Sequence, residues 1–276
     1  MIAIIDSDVL AYMATYDVWV DVYKDLGLST DTSKNIMLDA DGKRSRIFLT
    51  KDQEIKYLKK SLIVFKVLLR QLLESVFCEE YLSAVKGPDN YRTLLYPNYK
   101  VNRHQGDPSK INILVPLIRK LAVHEGLAVE AVGCEADDLM RMWALQAQEA
   151  GDPYIICTID KDLKCIEGKH FNMKTKQFFE VTKEQARLNY YAQLIQGDAT
   201  DNIPGIPGKG PIKSRGMLSA CTSEEEMQEV VVSAYIEFYG DDWYNYFLSN
   251  AKMIHLQRYP NDYFKAEEWP ILLELR

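Results

Sequence analysis

An α/β fold around a mostly parallel central sheet flanked by helices is what this sequence predicts, and three observations carry that prediction. Continuous apolar runs rich in β-branched residues, at 2–5 and 154–159, read as strands buried on both faces. Between them the apolar residues Ile55, Leu58, Leu62, Phe65, Leu68, Leu69 and Leu72 recur at helical spacing. Each apolar run ends directly on an aspartate, Asp6 or Asp160, and open parallel sheets place their ligand sites outside the carboxyl ends of the strands.

The elements follow in order. Residues 9–14 read as the helix leaving the first strand, and 17–50 have mixed character with a turn signal at 39–43. A long amphipathic helix covers 52–76 and a second strand 81–85. The stretch 90–104 then mixes Tyr91, Arg92, Tyr96, Tyr99, Lys100, Arg103 and His104 with no period that would bury them. Such a segment suits phosphate pairing and base stacking, or is a plain solvated loop. A helical pattern returns over 111–125. After 127–132 a helix opens at Glu135 and runs to about Ala150, where Gly151-Asp152-Pro153 stops it. Thr182 caps a helix over 182–196. The glycine- and proline-rich run 203–211 leads into a short helix at 212–220, and the remainder reads as helical, aromatic and acidic. Glycines opening a helix present backbone N–H groups and a positive dipole end suited to phosphate, with Lys209, Lys213 and Arg215 adding charge; the alternative is an ordinary turn.

The acids carry the chemistry. Glu135 and Asp138 share one face of their helix while Asp137 points elsewhere, and alone this trio would simply suit the helix dipole. Asp160/Asp162 follow an apolar run, however, and Asp198/Asp201 precede the glycine-rich segment. With Asp6 they make eight carboxylates in four segments. Two like charges 4 Å apart repel by roughly 4 kcal/mol at an effective dielectric near 20, so a fold that gathers them calls for a divalent cation. Oxygen donors without a His or Cys cluster favour Mg²⁺, with Mn²⁺ as a substitute, over Zn²⁺.

The 276 residues are 47% hydrophobic, enough for a full core, and 26% charged, as expected of a soluble globular protein. A net charge of −7 argues against a generic polyanion binder, though the acidic cluster supplies much of that excess. Five cysteines without a Cys-x-x-Cys pair indicate neither a disulfide framework nor a zinc site. No signal peptide or membrane-spanning run is present, which predicts a cytoplasmic protein with no membrane partner.

The ordered motifs resemble those of the 5′-nuclease superfamily, which includes flap endonucleases, the 5′-nuclease domain of bacterial DNA polymerase I and, above all, bacteriophage 5′→3′ exonucleases. The resemblance rests on Asp6 in Ile-Ile-Asp-Ser-Asp, Tyr99-Lys100-Val101-Asn102-Arg103, Glu135-Ala136-Asp137-Asp138, Asp160-Lys161-Asp162-Leu163 and the run 197–205, and covers residues 1 to about 220. It implies a PIN-like catalytic domain over 1–180 with an arch at about 92–115. Residues 181–276 would form a helix–hairpin–helix element (197–220) and a helical C-terminal part. Asp6, Glu135, Asp137, Asp138, Asp160, Asp162, Asp198 and Asp201 would hold two divalent ions, with Asp160 and Asp162 central to catalysis. Lys100 and Arg103 would reach the scissile phosphate. Arg92, Tyr99, Gly205, Gly208, Lys209, Gly210 and Lys213 would contact DNA, with K⁺ held by carbonyls of the hairpin. One departure stands out. Relatives carry a further metal-site aspartate at the end of the second strand, where this chain reads Ala84-Val85-Lys86-Gly87-Pro88-Asp89, with Asp89 as the available replacement.

The function so implied is a monomeric, metal-dependent 5′→3′ exonuclease or 5′-flap endonuclease acting on duplex DNA ends, and on RNA primers in RNA–DNA hybrids. Its setting would be phage-type DNA replication or recombination, in the host cytoplasm if the chain is phage-encoded. Two alternatives are a structure-specific DNA-binding protein that has lost catalysis and a PIN-type ribonuclease. The glycine hairpin argues against the latter.

Overall fold

The computed structural model describes residues 1–29, 47–104 and 111–275, without the side chains of Arg103, His104 and Glu274. The turn expected at 39–43 and the part of the arch at 105–110 lie outside the described residues. Six strands form one sheet: β1 (Ile2–Asp6), β2 (Glu80–Val85), β3 (Val129–Glu130), β4 (Tyr154–Thr158), β5 (Gly168–Asn172) and β6 (Gln177–Val181), in the order β3-β2-β1-β4-β5-β6. All neighbouring pairs are parallel except β5 with β6. The register sets Asp6 beside Ala84, at the carboxyl ends of the neighbouring strands β1 and β2.

Side chains alternate along β1, and each face acquires its own helical layer. Ala3 and Ile5 pack with Leu10, Phe65, Leu69, Ile118 and Cys157 beneath α1 (Ser7–Asp25), α2 (Lys51–Val76) and α4 (Leu114–His124). Ile4 packs on the other face with Met140, Ala144, Ile156 and Leu163 beneath α5 (Ala136–Ala150). The short helix α3 (Tyr91–Leu95) follows β2. Beyond the sheet, α6 (Lys183–Gln196), α7 (Pro211–Leu218), α8 (Glu224–Tyr239), α9 (Trp243–Ile254) and α10 (Pro270–Glu274) complete the chain. Tyr191, Leu194, Ile195, Val231, Tyr235, Phe247 and Trp269 form a separate core there, and Tyr99 is its member from the other side of the sequence.

The anticipated strands and helices are present; β3 and α3 were not anticipated, and two further differences stand out. Helix α1 continues past residue 14 because Val18, Trp19, Val22 and Tyr23 extend its buried face against Tyr57 and Leu114. The β5–β6 hairpin was not expected from the sequence. Its turn is closed by Asn172, whose Oδ1 accepts from Lys174 N and Thr175 N at 2.9 Å each. Among the described residues, no helix is long and apolar enough to cross a membrane.

Candidate active site

Five elements deliver carboxylates to the carboxyl end of the sheet: β1, the N-terminus of α5, the turn after β4, the 3₁₀ turn Asp162–Cys165 and the turn after α6. Thr158, the last residue of β4, ties two of them together. Its Oγ1 donates to Asp6 Oδ2 at 2.9 Å and accepts from Asp160 N at 2.9 Å, while Asp160 Oδ1 accepts from Asp162 N at 2.8 Å. Burial pushes the Asp6 carboxyl up to about 7, with Asp8 and Asp160 adding repulsion. Asp137 moves in the same direction, through burial first and then the charges of Asp6, Asp160 and Glu135. Asp162 rises to about 7 through burial and its neighbours Asp160 and Asp198. These groups resist ionising together, and positive charge placed among them would relieve that repulsion.

Lysines compensate for part of this charge. Lys100 Nζ bonds Glu135 Oε1 and lies 3.4 Å from Asp201 Oδ2. Lys161 Nζ lies 3.3 Å from Asp198 Oδ2 and 3.8 Å from Asp162 Oδ1. Burial opposes ionisation of Glu135 and Asp198, yet the adjacent cations, Arg92 and Lys100 for one and Lys161 for the other, hold both below the usual carboxylate range. Lys100 is held from its backbone as well, with φ 57° and its N–H donating to Asp201 O at 2.9 Å. Among the described residues, no three His, Cys, Asp or Glu side chains form a ready ligand cage. The carboxylates share one end of the sheet without closing around a point. Their donors are hard oxygens, which fit Mg²⁺ or Mn²⁺ in chemistry.

Three expectations from the sequence need correction. Arg92 does not face solvent: it is 1% exposed, and its guanidinium forks onto Asp138 at 2.7 and 2.9 Å and donates to Met253 O and His255 O. Direct DNA contact is therefore closed to it. Asp138 is fully buried, and besides the fork from Arg92 its oxygens accept from Glu135 N and Gln257 N, so no oxygen is left for a metal. Tyr99 is 6% exposed and offers no open face for stacking; its hydroxyl donates to Glu135 Oε2 at 2.8 Å or Asp201 Oδ2 at 3.1 Å. The side chain of Arg103 lies outside the described residues. Asp89, the replacement considered for the absent strand-end acid, accepts from Gly133 N at 2.9 Å and steadies the loop ahead of α5.

The sequence reading also missed three neighbours of the site. Asn90 Nδ2 donates to Glu135 Oε1 at 2.8 Å, Lys161 bridges Asp162 and Asp198, and Asp8 accepts from Lys86 N at the end of β2. The Asp-Ser-Asp spacing at 6–8 was the available signal for Asp8, because it puts a second acid in the first turn of the helix that leaves β1.

The turn between α6 and α7 shapes the second half of the site. Asp198 and Ile203 exchange backbone hydrogen bonds at 2.9 and 2.8 Å, and Asp198 Oδ1 accepts from Thr200 N at 2.7 Å. This geometry needs glycine where backbones cross. Gly205 has φ 58°, and a Cβ there would lie 2.3 Å from Gln196 C and Gly197 N. Gly208, also at positive φ, has open space around it. Gly205→Ala should therefore cost about 2–4 kcal/mol from overpacking plus left-handed strain, and Gly208→Ala only about 1 kcal/mol. Thermal melts of the two variants check this, and equal losses would contradict it. Lys213 is exposed and Lys209 half-buried beside these glycines.

Known proteins resemble this chain in sequence and in fold. A family model described as "5'-3' exonuclease, N-terminal resolvase-like domain" matches residues 34–192, more than half of the chain. A 5′–3′ exonuclease of Mycoplasma pneumoniae is 27% identical over 212 residues, covering 66% of this chain and 70% of that protein. A DNA polymerase I of Pseudomonas aeruginosa is 31% identical over 144 residues, which are 49% of this chain and only 16% of the polymerase. In fold, the chain is similar to the bacteriophage T5 5′-exonuclease solved with divalent metal ions (zinc) bound, with a TM-score of 0.59 and 14% identity over 99% of this chain and 96% of that one.

Proposed function

Because this chain belongs to the 5′–3′ exonuclease family, we propose that it is a divalent-metal-dependent nuclease that hydrolyses phosphodiester bonds near 5′ ends or 5′ flaps of duplex DNA, RNA primers included. The observation that carries this reading is the mutually repelling set Asp6, Asp137 and Asp160 at the carboxyl end of the sheet. We assign Asp6, Glu135, Asp137 and Asp160 to one divalent ion, and Asp162, Asp198 and Asp201 to a second, with Asp160 adjoining both. Asp138 is left out because its oxygens are engaged. When bound, two such ions supply Lewis acidity, making a water acidic near neutral pH and offsetting charge on the attacking and leaving oxygens.

The chain's own residues do the rest. Lys100 Nζ, poised at Glu135 and Asp201, turns to a phosphate oxygen once those carboxylates are otherwise neutralised. Arg103 is the second phosphate contact, three positions on in the 3₁₀ turn Val101–His104. Tyr99 and Asn90 keep Glu135 oriented. The α6–α7 turn acts as a helix–hairpin–helix grip on duplex backbone through Gly205, Gly208, Lys209, Gly210 and Lys213, with carbonyl oxygens available to K⁺. We divide the chain at about residue 180 into a PIN-like part and a second part that adds Asp198 and Asp201, the α6–α7 turn and the helical C-terminal region, with Tyr99 of the first part packed into the core of the second. The protein acts as a monomer, in the cytoplasm.

The test uses three 5′-labelled substrates, a blunt duplex, a 5′ flap and single-stranded RNA, each with Mg²⁺ or EDTA. Release of short 5′ products from duplex or flap that depends on Mg²⁺ is expected. Preferential cleavage of the RNA would favour a PIN-type ribonuclease, and duplex binding without cleavage a DNA-binding protein.

A pH dependence follows. Asp6 and Asp162, raised to about 7, are still partly protonated near neutrality, and a divalent ion binds only the ionised form. Ion binding should therefore release more protons at a pH of about 6.5 than at about 8.5, with affinity rising as the pH passes through about 7. Calorimetric titration with Mn²⁺ in buffers of different ionisation enthalpy measures the release. Equal release at both pH values would contradict the assignment.

A further inference from the structure

The carboxylate end of α5 is fastened to a part of the chain more than a hundred residues away. Arg92 and Asp138 are the junction, each 1% exposed or less. The guanidinium spans it. Its two terminal nitrogens fork onto Asp138, while Nε donates to Met253 O at 2.7 Å and one terminal nitrogen also reaches His255 O at 2.6 Å. From the other side Gln257 N donates to Asp138 Oδ1 at 3.0 Å. Tyr91, stacked on the guanidinium at 4.6 Å, points its hydroxyl at the carbonyls of Lys252 and His255. Asp138 Oδ2 accepts from Glu135 N at 2.8 Å, which fixes the residue that Asn90, Tyr99 and Lys100 also grasp.

The chain of contacts continues. Asn250, one turn earlier on α9, donates to Tyr235 Oη at 2.7 Å. The Tyr235 ring stacks on Tyr239 at 5.7 Å, and Tyr239 donates to Gly205 O at 2.6 Å in the α6–α7 turn. One continuous set of hydrogen bonds and packed rings thus joins the glycine hairpin, through the end of α9, to the backbone of Glu135.

We propose that Arg92 is a positioning residue for the carboxylate site, and that the segment 252–257, the last turn of α9 and the residues that follow it, is part of the catalytic scaffold, setting Glu135 and Asp137 through Asp138. This rests on the proposed function and goes beyond it. Asp138, which carries Glu135 N, is held by Arg92 and Gln257 N, and Arg92 in turn by the carbonyls of Met253 and His255, so loading the site and ordering that segment are one event.

Two measurements test it. The first is hydrogen–deuterium exchange of the unaltered chain with and without saturating Mn²⁺, in the absence of DNA. Slowed exchange is expected both at 135–139 and at 252–258, although the latter holds no proposed ligand. Slowing at 135–139 alone overturns the proposal. No change anywhere removes the metal-site reading and this inference with it. The second uses Arg92→Lys, which keeps the charge and loses the fork, and the near-isosteric Asp138→Asn. For the folded fraction, kcat on duplex and Mn²⁺ affinity, read by electron paramagnetic resonance without DNA, should each fall about 10–100-fold while KM for duplex stays within about threefold. Lower melting temperatures with unchanged kcat and Mn²⁺ affinity in the folded fraction would mark the pair as merely structural and overturn the proposal.

Discussion

Asp160→Ala is expected to lower duplex cleavage by on the order of 10³-fold or more while leaving duplex binding intact, since the lost charge stabilisation is worth several kcal/mol in the transition state. Asp160 sits between the two carboxylate groups: its charge raises both Asp6 and Asp162, and its Oδ1 receives Asp162 N. The same position makes a second result predictable. In EDTA the variant should melt within a few degrees of the parent, because removing a repelling charge offsets the loss of one part-buried hydrogen bond, each worth about 1 kcal/mol. An inactive variant that has also lost ~10 °C would mean a folding defect rather than a site defect. Single-turnover cleavage, a duplex-binding titration in Ca²⁺ and a melt in EDTA separate these cases. Activity within tenfold of the parent would remove Asp160 from the proposed machinery.

Local pattern and distant packing divide what the sequence disclosed. Strands β1 and β4 were legible because runs such as Tyr154–Thr158, buried on both faces, need uninterrupted apolar residues. Their terminal aspartates were legible for the same reason, since a charge closing such a run can only be at its end. The β5–β6 hairpin was not: Gly168-Lys169-His170 and Gln177-Phe178-Phe179-Glu180 alternate weakly, and β5 is a strand through its pairing with both β4 and β6. The acidic trio shows the limit of spacing arguments. Glu135, Asp137 and Asp138 look equivalent in the sequence, yet Asp138 at the third helical position turns back to Glu135 N and meets Arg92. Arg92 itself sits among exposed-looking basic and aromatic residues. Its burial depends on carbonyls at 253 and 255, so no local signal could have revealed it.

That buried pair makes the largest stability prediction. Burial works against the charge of Arg92, and the Asp138 carboxylate more than offsets it. Removing one partner leaves the other as an uncompensated buried ion, so Arg92→Met should destabilise the fold by about 3–5 kcal/mol, lowering the melting temperature by on the order of 10 °C. The loss should come mostly from the stranded carboxylate, because methionine fills much of the volume and only two carbonyls, of Met253 and His255, lose a donor. Adding Asp138→Asn to Arg92→Met removes that charge and keeps an oxygen for Gln257 N, so the double variant should regain more than half of the loss. Denaturant unfolding of the two single variants and the double variant measures the coupling. Additive losses would show that Arg92 stabilises the fold through the carbonyls of Met253 and His255 at the end of α9, and not through its charge on Asp138.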